Sequence, residues 1–346
     1  MAAEAARSLS KNATKSTLPH TGIPIILRPF VVKKAYVVHP KAKSLQADLK
    51  AQWLTKSCLR KGLPELAFCW NNITSEQLDS LKQRTAKSLL QTIASQKIGL
   101  KWKMNYDTDL LHGLLPSLLI QFMNHVESRG RTLNGFKSPI RTHWCRNHDF
   151  YQTSFLPGYM FLSGTALPTF EPDMECTVDV ELPGPYRPVD LGVFSHPTNH
   201  LSNALGNEMI SRTLQPEILI LSDFTSKNQE QLLHHGIHVM FSQLVAMAMQ
   251  HGYHPGQHLD SPMTTKCIIT NGRVFSFMAY QLNTLSLQED FGIKNIAWFD
   301  DFKMLYQTSS DPFKTGHKTF YEIFPIEANT LNLDEDCLKM LLAFLS

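Results

Sequence analysis

His234 and His238 stand four residues apart in a stretch with helical apolar spacing. Both rings would project from one face, where they could ligate one metal ion. His251, His254 and His258 follow closely. The zinc-peptidase pattern His-Glu-x-x-His is absent, because Glu230 precedes the pair and no Glu follows His234. Gln281 and Asn283 alternate onto one face of an apolar strand, where one type of metal-dependent nuclease carries Glu-x-Lys. Two amides hold a hard divalent cation poorly and cannot steady a leaving oxygen as a lysine does. Buried amides bonded to neighbouring backbone account for them better. Asp300-Asp301 form a carboxylate pair that equally describes a solvated turn. The chain has no phosphate loop, no dinucleotide fingerprint and no nucleophile elbow. No catalytic residue, metal site or cofactor is therefore expected.

The stronger signal is electrostatic. Arg28, Lys33, Lys34, Lys41, Lys43, Lys50, Lys56, Arg60 and Lys61 place nine positive charges in a stretch where only Asp48 opposes them. A face of this kind neutralises phosphates along an RNA backbone with little reading of sequence. Tyr36 and His39 could add base stacking. The asymmetry runs through the whole chain. Residues 1–146 carry 23 Lys and Arg against 8 Asp and Glu, whereas residues 147–346 carry 10 against 22. One reading is that the basic part meets a polyanion. The other is that the two parts share one fold and neutralise each other.

The elements that must position these groups are visible in the apolar spacing. Leu45, Leu49 and Trp53 predict a helix over Leu45–Lys61 that stops at Gly62-Leu63-Pro64. Thr74 and Gln77 form a capping box, after which Leu78, Leu81, Thr85, Leu89 and Ile93 line one helix face. Asp109–Glu127 predicts a further helix bent at Pro116. Thr142–Phe155 alternates as a strand does, and the Pro- and Gly-rich Pro157–Pro197 predicts a long irregular connection. Glu217–Leu221 predicts a buried strand, and Asn228–Gln250 a strong helix. Cys267-Ile268-Ile269, Val274–Leu282 and Ile293–Phe299 then read as a β-meander. Asn271-Gly272 would form a type I′ turn between the first two runs. His317–Ile326 should be extended, and Asp334–Leu345 predicts a closing helix with acids at its positive end.

Two patches of this sequence resemble a known family. The first comprises Asn271-Gly272-Arg273 with Phe275 and Phe277, Tyr280-Gln281-Leu282-Asn283-Thr284, Lys294-Asn295-Ile296-Ala297-Trp298 and Leu305-Tyr306-Gln307. The second is Trp53-Leu54-Thr55-Lys56 with Gly62-Leu63-Pro64-Glu65. Together they resemble the protein 37 family of the mitochondrial large ribosomal subunit. The paralogous mitochondrial ribosomal protein, also called programmed cell death protein 9, is similar in the first patch. The resemblance implies a structural role in mitochondrial translation and a location on the ribosome in the matrix. It also implies mitochondrial ribosomal RNA as a partner, together with other large-subunit proteins including the paralogue.

Length and composition agree with a folded protein. The chain has 346 residues, 43% of them hydrophobic and only 18% charged, which is ample for a buried core. Its longest apolar run, Leu110–Met123, is shorter than a membrane span. Six scattered cysteines without CxxC pairs fit reduced thiols. The expected class is α+β: a helical basic N-terminal third, then a mixed sheet with a C-terminal β-meander and packed helices. Three regions are expected: a tail over 1–30 that could target the matrix, a basic helical region over 31–146 and an acidic α+β region over 147–346. Two alternatives stand: within the family, the paralogue itself, and from a different class, a divergent metal-dependent nuclease or hydrolase using the histidine window.

Overall fold

The computed structural model describes residues 33–39, 44–70, 74–98, 115–116, 119–120, 122, 131–135, 139–198, 203–206, 214–222, 229–308 and 331–345. The N-terminal tail, His317–Ile326 and most of the helix expected over Asp109–Glu127 lie outside these residues. In chain order the described elements begin with β1 (Lys33–Val37), α1 (Ala47–Thr55), β2 (Ser57–Lys61), α2 (Ser75–Ile98), β3 (Thr132–Asn134), β4 (Ile140–Arg146), β5 (Asp149–Phe155) and β6 (Tyr159–Ser163). They continue with β7 (Phe194–Thr198), β8 (Ala204–Leu205), β9 (Gln215–Ser222), α3 (Gln229–Gln250), β10 (His258–Thr270), β11 (Val274–Thr284) and β12 (Asn295–Phe299). The short strands β13 (Lys303–Met304), β14 (Tyr306–Thr308) and β15 (Leu331–Leu333) and the helix α4 (Glu335–Leu345) complete them.

The class is α+β, as expected. A large mixed sheet runs β2-β12-β11-β10-β9-β6-β3, with β13 beside β11; a smaller sheet runs β7-β1-β5-β4-β8. The meander is present as antiparallel β10, β11 and β12. Side chains along β11 alternate between two cores. Met278, Tyr280 and Leu282 face α3, while Phe275, Phe277 and Ala279 face α2 and α4. On the first side, α3 lies between the two sheets, touching Trp144 of the smaller one and approaching Ile269 and Met278 of the larger. That position explains its sequence: a helix apolar on every side must be covered on every side. All residues from Leu233 to Ala248 are buried. The helix is long and apolar enough to cross a membrane, but its apolar stretch is used up inside the fold.

Close approach sets one residue in α3. A Cβ on Gly236 would collide with Sδ of Met278 on β11. Gly236→Ala should therefore lower stability by about 1–3 kcal/mol through overpacking, although alanine favours the helix. Urea denaturation checks this, and an alanine variant as stable as the parent would show that the end of the Met278 side chain gives way at little cost.

Several local expectations are corrected. The first third is helical over Ala47–Thr55 and Ser75–Ile98, as expected, but it also supplies the strands β1 and β2. The helix expected over Leu45–Lys61 ends at Thr55, where Lys56 takes a left-handed conformation (φ 49°) and its N–H closes on Gln52 and Trp53 carbonyls. Residues 57–61 instead form β2, which pairs in parallel with β12. No local residue announces that switch; a strand nearly 240 positions later imposes it (Ser57 pairs with Asn295). Thr142–Phe155 is two strands, joined by Asn147-His148 with φ of 48° and 68°. These two positive angles make it the type I′ hairpin turn. The turn at Asn271-Gly272 is not of that type, because only Gly272 has positive φ (81°). Asn271 Oδ1 instead accepts the N–H groups of Arg273 (2.9 Å) and Val274 (2.7 Å). Within Pro157–Pro197, β6 is a buried strand of the large sheet rather than irregular chain.

The charge boundary at residue 146 is not a boundary between sheets. β1 and β4 pair with β5, β7 and β8, while β2 and β3 pair with β12 and β6.

Candidate functional site

The two amides of β11 are fully buried. Gln281 Oε1 accepts from the N–H of Phe170 and of Glu171, each at 2.9 Å. Its Nε2 donates to the Glu171 carbonyl (2.7 Å) and to Asn283 Oδ1 (2.9 Å). Asn283 Nδ2 donates to the Lys294 carbonyl at 2.8 Å. Asn295 completes the network: its Oδ1 accepts from Asn283 N (2.9 Å) and Thr284 N (3.0 Å), and its Nδ2 donates to the Thr55 carbonyl (3.0 Å). These groups hold the 170–171 segment, β11, β12 and the end of α1 together. Each amide oxygen and nitrogen is spent on a neighbour, as buried polar groups require.

The histidine pair sits on α3, inside the core. His234 and His238 are 4% and 0% exposed, with ring centroids 4.3 Å apart at 68°. His234 Nδ1 lies 3.0 Å from the Ala47 carbonyl, which assigns the proton to that nitrogen. Burial pushes its pKa down to about 4, against a smaller upward pull from the Ala47 carbonyl. Burial also holds His238 well below the usual histidine range, helped by the neighbouring His234 and His235. Among the described residues neither ring nitrogen of His238 has a hydrogen-bond partner. Among the described residues no three His, Cys, Asp or Glu side chains come together as a metal site. His251, His254 and His258 are exposed and lie beyond the helix. Asp300 and Asp301 are likewise on the surface, paired with Lys303 (3.5 Å) and Lys61 (2.8 Å).

The basic run is divided by the fold. Lys34 is exposed on β1 beside Lys33, and Lys50 is half-buried on α1. Lys56 is 2% exposed and donates to the Ser286 carbonyl at 2.9 Å. Burial, with Arg146 and Lys294 nearby, lowers its pKa to about 8. Arg60 reaches Glu171 (3.3 Å) and the Cys176 thiol (3.2 Å). Tyr36 is half-buried against Tyr151, their rings 5.6 Å apart, and His39 is exposed. Arg28, Lys41 and Lys43 lie outside the described residues.

Sequence reading missed a set of interior cations. Lys294 donates to three carbonyls, those of Thr177 (3.1 Å), Val178 (2.8 Å) and Gly292 (3.0 Å). Lys266 donates to the Ala67 and Phe344 carbonyls. Arg131 makes a bidentate pair with Glu217 (2.6 and 2.5 Å), and Arg146 donates to the Trp53 and Leu287 carbonyls and to Asp290. Their partners are mostly backbone oxygens distant in sequence, so no side-chain pattern could mark them. Part of the excess positive charge of the first 146 residues is thereby consumed inside the fold.

This architecture describes a protein whose polar interior fastens strands and loops together, and whose chemistry-bearing side chains are either enclosed in the core or exposed and apart. The chain is similar to known proteins along much of its length. A family model described as mitochondrial 28S ribosomal protein S30 (PDCD9) matches residues 205–346. The chain is similar to large ribosomal subunit protein mL37 of Bos taurus, 24% identical over 299 residues, or 79% of this chain and 66% of that protein. It is 25% identical to mL37 of Gallus gallus over 303 residues (79% and 66%), and 24% identical to that of Rattus norvegicus over 315 residues (83% and 70%). The chain spans about two thirds of the length of these relatives. The resemblance to mitochondrial ribosomal proteins of the protein 37 family is thus shown, and mitochondrial localisation with it.

Proposed function

We propose that this protein is a structural constituent of the mitochondrial large ribosomal subunit, without an enzymatic activity of its own. The observation that carries the reading is similarity to mL37 along about four fifths of the chain. The buried, neutral histidines and the spent amides support it, because neither offers a substrate an accessible reacting group. In this role the basic N-terminal region, 31–146, lies on ribosomal RNA. The acidic region, 147–346, docks neighbouring large-subunit proteins, including the paralogue. The tail over 1–30 serves targeting to the matrix.

For RNA contact the proposal rests on Arg28, Lys33, Lys34, Lys41, Lys43 and Lys50. Lys56, Arg60 and Lys61 have their charges engaged by the chain itself. Binding to ribosomal RNA should weaken steeply as salt rises, because each neutralised phosphate releases a counterion. Replacing Lys33, Lys34, Lys41 and Lys43 by Ala should reduce the slope of log K against log salt by about 3, roughly 0.7–0.9 for each lost contact. Thermal melting should be unaffected. Filter binding across a salt series measures the slope, and an unchanged slope would remove RNA from the list of partners.

A further inference from the structure

A groove of about 540 Å³ opens between the 175–179 turn and the 286–293 loop. Its walls are fastened from beneath. The ammonium of Lys294 donates to Thr177 and Val178 on one side and to Gly292 on the other. Lys56, in the floor, donates to Ser286. The groove is therefore formed before anything enters it, which reduces the ordering cost of binding. Phe291, on its wall, is 72% exposed, and Val178 beside it is 39% exposed. An exposed phenylalanine rimmed by charged residues is a common mark of a contact site. Glu175, Asp179 and Glu289 also line the groove and are exposed, and none of these carboxylates makes an ion pair with any described residue.

We propose that this groove docks a lysine- or arginine-rich segment of another protein, which seats an apolar side chain against Phe291. Charge complementarity decides the partner. Three exposed carboxylates, with no ion pair to any described residue and outnumbering the Lys56 ammonium in the floor, repel a phosphate backbone and attract a cationic peptide. The carboxylates steer the approach and set the register, and the apolar contact supplies the anchor. The inference does not depend on the ribosomal role proposed above.

The test uses the full chain with the photocrosslinking residue p-benzoylphenylalanine in place of Phe291, irradiated in intact organelles. The expected product is an adduct that mass spectrometry maps to a Lys/Arg-rich stretch of a different polypeptide. Adding Glu175→Lys, Asp179→Lys and Glu289→Lys should lower its yield about tenfold, the size expected for reversing charges that steer association. The milder Glu175→Gln, Asp179→Asn and Glu289→Gln should give a smaller loss of the same sign, and thermal melting verifies that both variants fold. Adducts only to RNA, to residues 1–32 of this chain or to a second copy would overturn the proposal. So would no adduct, or one indifferent to all six substitutions. An adduct to a basic protein that is not ribosomal would uphold the groove and count against the ribosomal role.

Discussion

Trp298→Ala should lower the stability of the protein by about 3–5 kcal/mol, the range for truncating a buried aromatic. Trp298 lies on β12, between β2 and β11, and is 5% exposed. Its ring meets Phe170 edge-on, with centroids 5.9 Å apart at 89°, a favoured aromatic geometry. The side chain belongs to the core that α2 and α4 form with the large sheet. Truncation would leave a cavity beneath the 170–171 segment, which Gln281 pins to β11 and so prevents from collapsing inward. Denaturant titration should show a lower midpoint with an unchanged m-value. A loss below about 1.5 kcal/mol would mean that the site relaxes and that Trp298 is not a keystone of this core.

The second large effect is of pH. His234 and His238 have folded-state pKa values below the ordinary value near 6.5, so the unfolded chain binds more protons than the folded one as pH falls through 6.5. The sign follows: stability is full above pH 6.5 and is lost as pH drops towards 4. At pH 5 His234 should cost about 2 kcal/mol relative to pH 7, and His238 adds a cost of the same sign. In a His234→Asn, His238→Leu variant the difference in unfolding free energy between pH 7 and pH 5 should shrink by at least the His234 share. Asparagine can still donate to the Ala47 carbonyl, and leucine fills the apolar site of His238. An equal pH dependence in parent and variant would show that these rings are protonated in the folded state and reach solvent or an anion.

Much of this fold could be read from residue spacing, and the rest could not for identifiable reasons. The capping box is present as expected, with Gln77 N–H on Thr74 Oγ1 (3.3 Å) and Thr74 N–H on Gln77 Oε1 (3.2 Å). Leu78, Leu81, Thr85 and Leu89 are buried along one face of α2. The helix over 229–250, the meander and the closing helix also form where apolar periodicity places them, and Asp334 Oδ1 caps the last by accepting from Asp336 and Cys337. These are local or near-local features, and local patterns announce them. Leu45, Leu49 and Trp53 set a helical period that runs on into β2, whose true partner, β12, is far along the chain. Leu45, one of those three, is 86% exposed. The stacking of a second sheet over α3 left only one trace, a helix apolar on all sides. The groove beside Phe291 left none, because Lys56 and Lys294 build it through backbone carbonyls.

The site followed the same rule. The amides could be read as unfit for metal chemistry from their type alone, and their partners confirm their structural use. The basic run could be read as a charge pattern, but which of its members face outward depends on the tertiary fold. Lys56 is the clearest case, a cation in the run that the fold buries and bonds to a carbonyl.

The ribosomal role is open to a single decisive observation: sucrose-gradient sedimentation of gently lysed mitochondria, with the endogenous chain followed by quantitative mass spectrometry. The chain should peak with the large subunit and the intact ribosome, in a constant ratio to other large-subunit proteins. It should shift to the top of the gradient when ribosomal RNA is digested. A chain that stays at the top of the gradient in undigested lysate, while large-subunit proteins sediment without it, would contradict the account.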